Sequence, residues 1–195
     1  MANPEVPIMW VYPSGEQRHS LRRYQGKRKC QFSHGYCNAE VVLGKIVETP
    51  VPHEDCRWPT VCQCGYEFVE EDEWQDNYHN VYRNQSGTWE GTLSDLPPGA
   101  VYDASWFPSG YKVNGQYLIA VCPDGWRWEI DSRASNCTMK EDQVHRCWIR
   151  HGRPEDGTLH VDKEGFTCAA GAGSILTGNT PPWHGFLHHG LFVTC

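Results

Sequence analysis

The chain has 195 residues, ten of them cysteine, with a formal net charge of −7, 39% hydrophobic and 21% charged residues. That length can bury a core without covalent staples, and nine Trp, nine Tyr and six Phe supply large apolar area, which excludes global disorder. With 19 glycines and 13 prolines, turns and short strands are favoured over long helices, so the expected fold class is mainly β: small antiparallel sheets, a zinc-ribbon-like element and few short helices.

The chain opens on MANPEVPIMWVYPSGEQ, an extended, Pro-rich lead with no basic flank and no apolar run of signal-peptide length. No later stretch approaches the ~20 apolar residues that span a bilayer, so a cytosolic setting and no membrane association are expected. A reducing cytosol favours metal over disulfides for the cysteines. Arg18, Arg22, Arg23, Lys27, Arg28 and Lys29 then supply six of the 17 basic residues, in a segment read as a short helix or a solvated arm. Arg22, Arg23, Lys27, Arg28 and Lys29 could also neutralise phosphates, which makes nucleic acid a candidate partner, weighed against an acidic protein surface.

Residues 30–95 hold the Cys/His-rich region. Val41-Val-Leu-Gly-Lys-Ile-Val47 reads as a strand from its β-branched content. Trp74, Tyr78, Val81 and Tyr82 fit helical spacing, and Glu70 to Glu73 suit a helix N-terminus, so a helix is expected within Glu67 to Tyr82. Breaks follow at Asn84-Gln-Ser-Gly87 and Leu96-Pro-Pro-Gly99. The sequence thus divides into an extended and basic segment (1–29), a zinc-binding region (30–95) and an antiparallel β-rich domain (96–195). In the last, Tyr117 to Cys122 and Trp126 to Ile130 read as strands. Arg146 to His151 and Thr158 to Lys163 read as a hairpin around Pro154-Glu-Asp-Gly157.

Zinc prefers four soft or borderline donors, often presented in pairs by tight turns. His53-x2-Cys56 has such a spacing. Cys62-Gln-Cys64-Gly65 resembles a zinc knuckle with one intervening residue where two are usual. The candidate ligands are therefore His53, Cys56, Cys62 and Cys64, with Cys37 and Cys30 as substitutes from a facing hairpin; buried thiols acting as small hydrophobes are the plain alternative. A second set, Cys122, Cys137, His145 and Cys147, with His151 as another option, could hold a second zinc, against a Cys137–Cys147 disulfide. Cys168-Ala-Ala-Gly-Ala-Gly-Ser174 lacks the Lys of a Walker-type loop, and close backbone packing accounts for it and for Trp183 to His189 more simply. No HExxH occurs, and His53-Glu-Asp-Cys56 lacks the His-x-Glu of nucleotide deaminases, so structural zinc is the expected role.

The stretches Leu96-Pro-Pro-Gly-Ala-Val-Tyr102, Cys122-Pro-Asp-Gly-Trp-Arg-Trp128 and His145-Arg-Cys-Trp-Ile-Arg-His-Gly152 resemble an uncharacterised Cys/His-rich family found in tailed phages and near bacterial ubiquitin-like conjugation genes. The matching positions are Cys122, Cys147 and Gly152, with His145 displaced to before the cysteine, over less than a third of the chain. Cys168 to Ser174 and Trp183 to His188 look like hypothetical proteins of tailed phages. The resemblance implies metal binding and a phage setting: a zinc-stabilised, non-enzymatic protein of the host cytoplasm or the virion, structural or accessory, with protein partners that include other virion proteins. A metal-dependent hydrolase and a nucleic-acid-binding zinc protein are the alternatives.

Overall fold

The computed structural model describes residues 5–32, 35–44, 50–132, 149–162 and 174–195. Among the described residues thirteen strands follow one another: β1 (Val6–Pro7), β2 (Met9–Lys29), β3 (Tyr36–Gly44), β4 (Glu73–Asn84), β5 (Glu90–Gly91), β6 (Ala100–Asp103), β7 (Leu118–Val121), β8 (Arg127–Glu129), β9 (Ile149–His151), β10 (His160–Asp162), β11 (Ile175–Leu176), β12 (His184–His188) and β13 (Leu191–Thr194). Helical structure among the described residues is limited to three single 3-10 turns, at Leu93–Asp95, Ser109–Tyr111 and Pro154–Asp156. The protein is thus mainly β, with small antiparallel sheets. No helix among the described residues is long and apolar enough to cross a membrane.

Two compact units form, one of Met1–Tyr12 with Arg83–Cys195 and the other of Pro13–Tyr82. The divisions fall after Tyr12 and Tyr82, whereas composition suggested breaks after Lys29 and Asp95. The reason is that the basic run is sheet, not arm: residues 18–29 belong to β2, which pairs antiparallel with β3 from His19↔Gly44 to Lys29↔Tyr36.

In the smaller unit β2 lies between β3 and β4. Leu21, Val51 and Trp58 are buried there, with Leu43 and Trp74 packed against them. The helix expected within Glu67 to Tyr82 is instead a turn followed by the strand β4. Asp72 ends that turn: its carboxylate accepts hydrogen bonds from the Val69 amide and the Tyr66 hydroxyl, both at 3.0 Å, and from the Gln25 side chain. A buried carboxylate with three donors fixes the chain direction before β4 starts. The aromatic and β-branched residues Trp74, Tyr78, Val81 and Tyr82, which also fit helical spacing, then follow their preference for a pleated surface.

The described residues of the larger unit form two apolar clusters, and β7 serves both. Leu118 and Ala120 point into one with Val101, Cys122, Ile130, Leu159, Val161, Leu187 and Phe192. Ile119 and Val121 point into the other with Val11, Ala100, Tyr102 and Tyr117. All four residues of β7 are buried, as expected of a strand covered on both faces, which therefore reads as a continuous apolar run. β6, β7 and β8 form an antiparallel meander. A four-stranded sheet runs β1-β13-β12-β11, and β9 and β10 form the expected hairpin, closed by Pro154–Asp156 and by Gly157 in the left-handed region at φ 66°. Arg150 on β9 is buried and pairs with buried Asp131 at 2.5 Å, and Asp131 also accepts the Leu118 amide at 2.8 Å.

Candidate metal centre

Two turns in the smaller unit bring four cysteines together. Cys30 follows β2 and Cys37 lies on β3, so the first pair straddles the β2–β3 connection, where the Cys30 amide donates to the Gly35 carbonyl at 3.0 Å. The second pair is Cys62 and Cys64. The Cys62 amide donates to the Tyr66 carbonyl and the Gly65 amide to the Cys62 carbonyl, each at 2.8 Å, with Gly65 at φ 81°. A left-handed residue is needed at that point to reverse the chain, which is why glycine follows the second cysteine.

The sulfurs of Cys30 and Cys62 lie 3.7 Å apart and those of Cys37 and Cys64 3.5 Å apart. All four lie within 4.8 Å of one another. These are free thiols, far beyond the ~2.05 Å of a disulfide. A tetrahedral zinc with Zn–S of about 2.3 Å places its sulfurs ~3.8 Å apart, so the two closest pairs already stand near the spacing a metal imposes. Cys30, Cys37 and Cys62 are buried and Cys64 half-buried. The group can hold a metal ion, and its two-turn construction is zinc-ribbon-like.

The surroundings suit a centre that becomes anionic. Tyr66 and Phe68 pack against the cysteines. The guanidinium of Arg28 lies 5.0 Å from the Tyr66 ring centre and that of Arg23 5.5 Å from the Phe68 ring centre. Burial, followed by the neighbouring Cys64 and Cys62 sulfurs, pushes the Cys37 thiol up to about 12. A divalent cation reverses that balance by pairing with the thiolates, and four thiolates around it leave a net charge of −2 for the nearby guanidiniums to offset.

Of the expected ligands, Cys37, Cys62 and Cys64 are brought together, joined by Cys30. His53 and Cys56 stand outside the group. The His53 ring stacks on Trp74 with centroids 4.2 Å apart and planes 4° from parallel, and it meets Trp58 edge-on. Cys56 is exposed in a turn held by the Asp55–Arg57 ion pair at 2.7 Å. Aromatic packing among His53, Trp58 and Trp74 orients that loop.

Cys122 occupies a turn with the same backbone bonds as the Cys62 turn: its amide donates to Trp126 and Gly125 donates to it, each at 2.8 Å. Asp124, however, stands where Cys64 stands in the other turn. Burial opposes its ionisation, but hydrogen bonds from Thr177, the Trp126 amide, Asn179 and the Trp183 amide hold its carboxyl below the ordinary value. Cys122 itself is buried in the apolar cluster, where burial and then Asp124 push its thiol up to about 12. Among the described residues no group of three or more donors includes it. Its other expected partners, Cys137, His145 and Cys147, lie outside the described residues, as do Cys168 to Gly173 of the Gly/Ala run.

The basic run divides by environment. Arg23 is buried, donates to the Val69 carbonyl and lies 3.4 Å from the Trp74 ring centre, with its pKa lowered chiefly by burial. Arg22 lies over Tyr24, and Lys27, Arg28 and Lys29 are exposed at the end of β2. Comparison with family models, with curated proteins and with solved structures finds no match for this chain.

Proposed function

We propose that the chain is a zinc-stabilised, non-enzymatic protein whose metal is a folding element, and that it acts as an interaction component of a phage, in the host cytoplasm or in the virion. The observation that carries the zinc reading is the spacing of the four sulfurs, 3.5 and 3.7 Å within the closest pairs, in a mostly buried setting. Thiolates select soft and borderline ions, and a tetrahedral four-thiolate set favours zinc. Four protein donors leave no position for a reacting water, so the chemistry supplied is cross-linking, not hydrolysis. The residues holding the ion would be Cys30, Cys37, Cys62 and Cys64, tying the β2–β3 connection to the Cys62–Tyr66 turn.

Protein partners are supported by β3, which pairs only with β2 among the described residues and exposes Val41 and Val42. An edge strand with apolar side chains outward is a template for another chain. The phage setting rests on the sequence resemblance of Leu96 to Gly152. Mass spectrometry of purified particles tests it: the chain is expected among the virion proteins or in the infected-cell lysate, and its absence from both overturns the setting.

A further inference from the structure

A second donor cluster lies in the larger unit, apart from the cysteines. The register of the β9–β10 hairpin places His151 opposite His160. His160 is almost fully buried, at 1% exposure. β12 and β13 are joined by a two-residue turn, His189-Gly190, after His188. The two elements dock through the backbone, the Gly190 amide donating to the Leu159 carbonyl at 2.8 Å, and the segment between β1 and β2 adds a bond from the Ile8 amide to the Gly190 carbonyl at 2.8 Å. Gly190, at φ 75°, has no room for a side chain, because a Cβ would lie 2.0 Å from the Gly157 carbonyl oxygen. This docking brings the rings of the two turns close to one another.

The ring centres of His160, His188 and His189 stand 4.9, 4.7 and 4.6 Å apart, and one ligating nitrogen from each lies within 4.8 Å of the others. The His189 amide donates to Nδ1 of His160 at 3.3 Å, so in the metal-free chain that lone pair is engaged by a long hydrogen bond, which an ion bound at this nitrogen would displace. His189 itself has φ 45°. Tight hairpins of this kind mostly place Gly, Asn or Asp where φ is positive, and here the left-handed position carries an exposed imidazole whose ring meets those of His160 and His188. A strained residue with a chemically useful side chain points to a use for that side chain.

We propose that His160, His188 and His189 form a second metal site, for a borderline divalent transition ion such as zinc, cobalt(II) or nickel(II), with solvent completing the coordination. Three neutral imidazoles suit those ions. Nitrogens bound at about 2.0–2.1 Å in a tetrahedron stand ~3.4 Å apart, within reach of small ring rotations from the spacing here. Burial falls from His160 through His188 to His189, so the remaining positions face water. This site is open, unlike the closed four-thiolate group, and it belongs to the other compact unit, so it stands or falls independently.

The test uses the full chain carrying one equivalent of zinc, titrated with cobalt(II) near neutral pH. One further equivalent is expected, with weak visible bands and no thiolate-to-cobalt charge transfer, and the variant His188→Gln/His189→Asn is expected to lose it. Asn at 189 retains the left-handed turn. No further equivalent, an unchanged equivalent in the variant, or strong charge transfer would each overturn the proposal. Should the variant misfold, paramagnetic shifts in the wild-type chain decide: they are expected on the ring protons of His160, His188 and His189, and shifts centred elsewhere refute it.

Discussion

Replacing Cys62 with serine separates a metal ligand from a buried thiol that merely fills space. Cys62 is 3% exposed, and its sulfur is 3.7 Å from that of Cys30. If it is only a small hydrophobe, the substitution costs a modest packing and desolvation penalty, about 1–3 kcal/mol, whether or not metal is present. If it is a ligand, the wild-type chain carries a binding contribution that the variant largely lacks. At free zinc 100 to 1,000 times the dissociation constant that contribution is about 2.7 to 4.1 kcal/mol. The assay is hydrogen exchange read by mass spectrometry on peptides covering residues 30–44 and 60–72, with zinc and with chelator. Wild type is expected to lose protection in both peptides when chelated, since the metal ties both turns, while Cys62→Ser is already near the chelated level and responds little. Wild type that keeps its protection under chelation, or Cys62→Ser that loses as much protection on chelation as wild type does, would refute the reasoning.

Three further outcomes follow from the same structure. Arg150→Ala should destabilise the larger unit by about 3–5 kcal/mol in denaturant unfolding, because it leaves the Asp131 carboxylate buried without its ion-pair partner; Arg150→Met with Asp131→Asn should recover much of the loss. Cys122, with a reference value of 9.0 raised to about 12, keeps its proton in the fold while the unfolded chain ionises. Its contribution is therefore complete below pH ~9 and is lost as pH rises toward ~12, by about 4 kcal/mol at most, and Cys122→Ala should flatten that part of the stability–pH curve in the zinc-bound protein. Alkylation followed by peptide mapping should label Cys56 and Cys195 first, leave Cys122 unlabelled, and reach Cys30, Cys37, Cys62 and Cys64 only after chelation.

Sequence could reveal the Cys62 turn because a cysteine pair followed by glycine encodes its own geometry: the left-handed Gly65 and its bond to Cys62 are local. It could also reveal the β9–β10 hairpin, whose turn chemistry sits between two strand-like runs. His53-x2-Cys56 had an equally suitable spacing, but spacing does not say which way a turn faces, and packing among His53, Trp58 and Trp74 decides that through tertiary contacts. The β4 segment fits periods of both helix and strand, and the deciding residues, Asp72 with Gln25 and Tyr66, include a partner 47 positions away. The basic run gave no strand signal because Arg23, a residue expected at the surface, is buried over Trp74. The three histidines are visible as letters, yet their convergence depends on two hairpins docking by backbone bonds, which no local pattern encodes.

Zinc K-edge X-ray absorption on protein holding one zinc per chain, with elemental analysis of the same sample, tests the four-thiolate centre most directly. The expected result is about one tightly held zinc with a single shell of four sulfurs at about 2.3 Å. Protein that binds no zinc, or zinc held by a mixed sulfur and nitrogen shell, would contradict a centre made of Cys30, Cys37, Cys62 and Cys64.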